Sequence, residues 1–261
     1  MQSVLTQELN SVQVLVQRDL LRFWREKSRV AGALIQPLIF WAVIGSGLSP
    51  TFRLNGSSKL DYLEYFYPGV MLMVVLFTAI FSTMSVIEDR HSGFLQSVLV
   101  APGSRAALVL GKCLGSSAVA LAQSGLFLLL APLAGFAFGQ IAWLPLLAGL
   151  ALSCLALCSL GFAVAWWLDS TAGYHVVMSV VLLPLWILSG AMFPPGSGWL
   201  QLVAAANPLT YAVAAVRRGL YGSQLPAALE HGSHSWLELL VLCVFTLAAV
   251  WAAVAVCQRR R

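Results

Sequence analysis

Charge is what this chain has least of. Asp, Glu, Lys and Arg together make up 10% of its 261 residues, whereas 59% are hydrophobic, a balance that excludes an ordinary soluble domain. Apolar residues run on for 18 or more positions several times over, and runs of that length are the mark of helices that cross a bilayer.

Ionisable groups are also missing from the middle of those runs. Glu88, Lys112, Asp169, His175 and Glu238 lie within a turn or two of a run's end, leaving Gln36, Gln123 and scattered Ser and Thr to the interior. Ion-coupled transport needs ionisable groups at depth, so a secondary transporter is disfavoured. Gln36 precedes Pro37, and its expected role is to satisfy a carbonyl freed at a kink. Intramembrane catalysis lacks its parts as well, because no aspartate is deep, His175 is the only histidine in a run, and His231 and His234 have no acidic or cysteine companions. No catalytic residue and no metal site are therefore assigned. The sequence has no GxxxxGK[ST] phosphate loop, and LSGAM at 188–192 sits inside an apolar run beyond the reach of nucleotide. ATP hydrolysis by this chain is excluded on that ground.

The five cysteines (Cys113, Cys154, Cys158, Cys243 and Cys257) fall in or beside apolar segments, where a thiol packs as a small hydrophobe. Cys154 and Cys158 are one turn apart but have no polar company that would favour a redox or metal pair. Met1 to Arg29 holds no short apolar run ending in a cleavage site, so no signal peptide is expected.

Continuous apolar length places six spans at about 30–49, 66–87, 110–136, 142–168, 174–193 and 236–256, each able to cross roughly 30 Å of hydrocarbon. In the third, Lys112 is expected to snorkel to the interface and Pro132 to end or kink the helix. Six spans put both termini on one side. That side carries Arg18, Arg22, Arg25, Lys27, Arg29, Arg90, Arg105, Lys112 and Arg259 to Arg261, eleven basic residues, against Arg53, Lys59, Arg217 and Arg218 on the other. The positive-inside bias makes the richer side cytoplasmic. The net charge of +5 is thereby accounted for by topology, with no nucleic acid partner implied.

Residues 1–29 precede the transmembrane domain of residues 30–261 as a separate arm. In it Leu5, Leu9, Val12, Val16, Leu20 and Phe23 recur at helical steps while Glu8, Gln13, Gln17, Arg18, Arg22 and Arg25 take the other face. This predicts an amphipathic helix in the membrane interface with Trp24 at headgroup depth, the alternative being a helix packed on a partner protein.

Two further stretches carry the functional reading. EDRHSGFLQSVLVAPGSR, residues 88–105, puts a charged group ahead of a short apolar knot. Ser92 or His91 can cap a helix of about 92–101, Phe94, Leu95, Val98 and Leu99 give it an apolar face, and Pro102 ends it. Such a knob fits a groove on a soluble partner, with Glu88 to His91 as a charged rim. FPPGSGWLQLVAAANPLTYAVAAVRRGLYG, residues 193–222, is too broken to be another crossing. Pro194, Pro195, Gly196 and Gly198 stop one helix, Asn207 and Pro208 open another, and Gly222 closes it. Backbone of this kind at membrane depth is stable only inside protein or beside a water-filled path, so a re-entrant pair is expected over about 194–222.

The arm, the 88–105 loop, LSGAMFPP and NPLTYAVAAVRRGLYG, in that order, resemble the membrane subunits of type 2 ATP-binding-cassette exporters across nearly the whole chain. The resemblance implies an all-α membrane fold of six transmembrane helices, with an N-terminal connecting helix, a cytoplasmic coupling helix and a re-entrant pair before the last span. It implies a permease that moves an amphipathic substrate outward, paired with a separate ATPase subunit that holds ATP and Mg, and with a second permease copy, in a prokaryotic plasma membrane. The permease itself would bind no cofactor. Gly93 to Pro102 would be the coupling helix, with Phe94, Leu95, Val98 and Leu99 entering the ATPase. Gln96 stands where an acidic residue is usual, so a charge pair there is not implied. Asn207, Pro208, Tyr211, Arg217 and Gly222 match the stretch where an outer gate is expected. Gly111 with Gly115, and Gly135 with Gly139, are read either as close helix crossings or as loose packing. A membrane scaffold that transports nothing remains the rival reading.

Overall fold

The computed structural model describes residues 2–49, 61–100, 104–194, 198–226, 229 and 235–259. Pro102, Pro195, Gly196, Arg53, Lys59, His231, His234, Arg260 and Arg261 lie outside the described residues, as do the side chains of Leu5, Trp24, Arg29 and Leu99.

Helix follows helix in chain order: α1 (Gln2–Arg25), α2 (Lys27–Leu48), α3 (Tyr62–Thr83), α4 (Ser85–His91), α5 (Phe94–Val100), α6 (Arg105–Leu128), α7 (Trp143–Trp167), α8 (Thr171–Trp186), α9 (Trp199–Ala206), α10 (Pro208–Tyr221) and α11 (Ser235–Arg259). Among the described residues there is no strand. Six helical stretches are long and apolar enough to span a membrane: Val30–Leu48, Tyr62–His91, Arg105–Leu128, Trp143–Trp167, Thr171–Ala191 and Trp236–Arg259. The protein is a multi-pass membrane protein.

Local chemistry sets the helix starts. Ser104 accepts from the Ala107 amide at 3.1 Å, Ser170 from Gly173 at 3.2 Å and Asn207 from Leu209 at 3.0 Å, three side-chain caps at the openings of α6, α8 and α10. Pro208 follows its cap at the first helical position, where a missing amide proton costs nothing. Pro132 falls in a 3₁₀ turn, Ala131–Ala134, after α6 has already ended at Leu128. The third span is therefore shorter than its apolar run.

At the centre stands α3, buried along almost its whole length, as an all-round apolar helix should be. It packs against α2, α6, α7, α8 and α10. α1 does not simply float on lipid: it crosses α6, where a Cβ on Gly111 would come within 2.8 Å of Leu15 and one on Gly115 within 3.2 Å of Asp19. The close-crossing reading thus holds for this glycine pair, with α1 as the partner. It does not hold for the other pair, since Gly135 ends the 3₁₀ turn at φ 97 and Gly139 has open space around it. Among the described side chains of α1 the buried ones are Leu15, Asp19 and Phe23, while Leu9, on the apolar stripe, points outward. The crossing at the two glycines, rather than the apolar stripe, sets the helix's rotation. Gln36 is exposed on α2, which continues through Pro37, so its expected place inside the kink is not where the structure puts it.

Candidate functional site

Side chains of unusual chemistry collect at two places in the chain, where α1 meets α4, α5 and α6, and where α8 meets α3 and α10. At the first, Asp89 is the hub. Arg18 grips it as a fork, Nη1 to Oδ2 at 3.0 Å and Nη2 to Oδ1 at 2.7 Å, Arg22 Nη1 adds 2.7 Å to Oδ1, and Lys112 Nζ lies 2.5 Å from Oδ2. Lys112 also donates to Asp19 Oδ1 at 3.0 Å, and Arg22 reaches Glu88 at 2.6 Å and Glu26 at 3.1 Å. Lys112 is 1% exposed. Its expected snorkelling does not occur, because two carboxylates meet its ammonium inside the protein; burying one ion without the others would cost several kcal/mol. Burial pushes the Asp19 carboxyl above the usual carboxylate range, and Lys112 opposes that rise.

The network reaches α5 through the Arg18 guanidinium, which lies 3.6 Å from the centre of the Phe94 ring. Gly93, at φ 76, makes the left-handed break between α4 and α5, and Ser92 donates to the Asp89 carbonyl at 3.2 Å instead of capping α5. Two expectations are corrected here. Leu95 is 2% exposed and Val98 packs on the core, so the apolar face of α5 is turned to the bundle, and Gln96 and Ser97 face outward. Burial of apolar area against the spans wins over presentation to a partner. The charged rim is likewise turned inward: Glu88 and Asp89 hold α1, and Arg90 binds Asp169 at 2.7 Å and the Trp166 carbonyl at 2.9 Å, leaving His91 as the exposed one of the four.

At the second place, α8 runs through Pro184 into a π turn, Ile187–Ala191, broken by Gly190 at φ 78. A π turn and a proline free backbone carbonyls, and three carbonyls of this segment accept from other elements. Asn207 Nδ2 donates to Leu185 O at 2.6 Å, Tyr65 OH to Gly190 O at 2.8 Å, Arg217 Nη2 to the same oxygen at 3.2 Å, and Tyr62 OH to Met192 O at 2.9 Å. Trp186 Nε1 donates in the opposite direction, to Gly69 O at 2.8 Å. Arg217 is 1% exposed and lies 4.7 Å above the Tyr65 ring. α9 and α10 meet at 79°, a bent pair before the last span as expected, and Tyr211 OH closes the bend on Ala205 O at 2.9 Å. Gly222 ends α10 at φ 55, and Pro194 is exposed just after the π turn. Arg218 forks onto Glu238 at 2.9 and 3.1 Å, fastening α10 to α11.

Between the two ends Gln123 shares a hydrogen bond with Thr78 and reaches the Val30 carbonyl at 3.3 Å. Cys113, Cys154 and Cys158 are buried free thiols, and among the described residues no group of His, Cys, Asp and Glu could hold a metal ion.

A family model described as ABC-2 type transporter matches residues 10–221, from the middle of α1 to the end of α10. The chain belongs to that family. Over 255 residues it is 28% identical to the daunorubicin resistance ABC transporter permease protein DrrB1 of Streptomyces coeruleorubidus, covering 90% of this chain and 81% of the relative. It is 27% identical over 245 residues to a protein named transport permease ycf38 of Cyanophora paradoxa, with 90% and 84% covered, and 26% identical over 240 residues to nodulation protein J of Rhizobium leguminosarum bv. viciae, with 88% and 87% covered. It is an ABC transporter permease, the membrane transport subunit of a family that normally works with an ATP-binding-cassette subunit. Four residues of this permease's ionic network, Arg18, Asp19, Arg22 and Lys112, carried no site assignment in the sequence. Gly111 and Gly115 beside Lys112, together with Asp19 next to Arg18 in the arm, were the available signal.

Proposed function

We propose that this permease exports an amphipathic substrate, a drug, a lipid or a lipid-linked glycan, using ATP hydrolysed by a separate ATPase subunit. α5 receives the ATPase through its outward Gln96 and Ser97 edge, and its motion passes to α1 through Arg18 and to α6 through Asp89 and Lys112. The observation that carries this reading is the double grip of Arg18, on the Phe94 ring and on Asp89. A buried ionic hub resists shear because separating any member leaves an uncompensated charge, so α1, α4, α5 and the start of α6 move as one lever.

The exit lies at the π turn of α8. Its freed carbonyls are clamped by Tyr62, Tyr65, Asn207 and Arg217, so a pull on α8 or α10 exchanges these bonds together. The similarity to a drug-resistance permease supports an outward direction and an amphipathic cargo. Ile35, Ile39 and Val43 on α2, Val176 and Val180 on α8 and Ile187 in the π turn are exposed; the reading assigns these faces to lipid and to a second permease copy. The membrane is a prokaryotic plasma membrane, with both termini in the cytoplasm.

The test is purification in mild detergent with identification of what accompanies the chain. An ATPase subunit is expected, and Gln96→Arg with Ser97→Arg is expected to abolish its stimulation while the permease remains folded. A permease that purifies with no ATPase, and that moves nothing when reconstituted, would support a scaffold in its place.

A further inference from the structure

Asp19 and Asp89 share one lysine on unequal terms. Asp89 accepts from Arg18 twice, from Arg22 and from Lys112, whereas Asp19 has Lys112 at 3.0 Å and a long approach of Arg18 at 3.5 Å. Asp19 Oδ2 is buried without a hydrogen-bond partner among the described residues. The same side chain lines a cavity of about 10 Å³ together with Arg22, Phe23, Glu26, Ser82 and Ser85. That is the space of one water molecule, and the hydroxyls and carboxylates around it are the polar company a buried water needs.

We infer that Asp19 is a proton-binding site, reached through one water held by Ser82 and Ser85, and that filling it tightens the junction of α1, α4 and α6. The groups facing it decide which carboxylate takes the proton. From α1 comes Arg18, with Arg22 and Glu26 lining the same cavity; from α4 comes Asp89; from α6 comes Lys112. Asp89 is stabilised as an anion by four donors, and a carboxylate with few donors beside another carboxylate is the one that protonates. When Asp19 is neutral, Lys112 belongs wholly to Asp89 and the repulsion between the two acids is gone. When it is ionised, both compete for one ammonium.

The sign follows from linkage. The buried Asp19 carboxyl lies above its usual range, chiefly through burial, so the native state holds this proton more tightly than the unfolded chain does. The stabilisation is complete at pH below the unfolded value and is lost as pH rises through the native one. No transport is needed to see this, so the inference stands or falls apart from the proposed function.

The experiment is thermal melting of the permease with its ATPase, followed by tryptophan fluorescence from about pH 4, near the unfolded carboxyl value, to about pH 9, with the ATPase alone as the control to be subtracted. Wild type is expected to lose stability as pH rises, and Asp19→Asn to be flat over the same interval and at least as stable as wild type at its alkaline end. If Asp19→Asn fails to fold, Ser82→Ala with Ser85→Ala removes the partners of the water; the neutral acid is then favoured further, and the midpoint moves up by about one pH unit. An Asp19→Asn profile parallel to wild type, or a serine variant with an unmoved midpoint, overturns the proposal.

Discussion

The Arg18 guanidinium lies 3.6 Å from the centre of the Phe94 ring while both its terminal nitrogens hold Asp89. One side chain thereby joins the arm before the first span to the short helix between the second and third spans. Arg18→Lys keeps the charge but loses the fork, and Phe94→Leu keeps the bulk but loses the ring. In a double-mutant cycle on ATPase stimulation the two changes are expected to couple by about 0.5–2 kcal/mol, the range of a partly desolvated cation–π contact. Additive effects in that cycle would place force transmission elsewhere.

Lys112 answers two buried carboxylates at once. Lys112→Met removes that cation and is expected to lower stability by about 3–5 kcal/mol, read from thermal or denaturant melting. Asp19 can relieve the loss by taking a proton, so the penalty is expected to shrink as the solution is acidified. A penalty that does not change with pH would mean that Asp19 stays ionised without its partner.

At the other end, Arg217 and Tyr65 share the Gly190 carbonyl. Arg217→Met leaves that carbonyl to Tyr65 alone and removes a charged hydrogen bond worth about 1.5–3 kcal/mol. A cysteine introduced at Ser189, buried in the native chain, is then expected to react faster with a membrane-impermeant maleimide applied from outside. Unchanged labelling would show that the clamp does not close the exit.

Two glycines make a paired steric test. A Cβ on Gly219 would stand 2.5 Å from the Leu146 Cβ, where α10 lies on α7, whereas one on Gly125 meets nothing within 4 Å. Gly219→Ala is expected to cost about 1–3 kcal/mol by overpacking, and Gly125→Ala to be neutral or to gain up to about 1 kcal/mol of helix propensity. Melting curves of the two variants check both.

The spans were legible because a bilayer demands long apolar runs, and the bent pair because Asn207 and Pro208 mark a helix start wherever they stand together. Residues that meet across the fold were not. Glu88, Asp89 and Arg90 read as a rim for a partner because nothing near them in sequence neutralises them; their counter-ions come from Arg18, Arg22, Lys112 and Asp169. The orientation of α5 is illegible for a related reason. Its periodicity marks Phe94, Leu95 and Val98 as one apolar face, but periodicity is silent on whether that face turns to a partner or to the spans, and Leu95 is buried in the core. The donors that clamp Gly190 O are hidden likewise, because Tyr65 and Arg217 lie 125 and 27 residues from it in sequence.

On the proposed mechanism α5 and α1 form one lever driven by ATP. Spin labels at Gln13 on α1, Gln96 on α5 and Gln258 on α11, all exposed positions, measure it directly in the reconstituted complex with and without ATP and vanadate. The α1–α5 distance is expected to stay constant while both helices change their distance to α11. An α1–α5 distance that changes while α5 keeps its distance to α11 would rule out the lever.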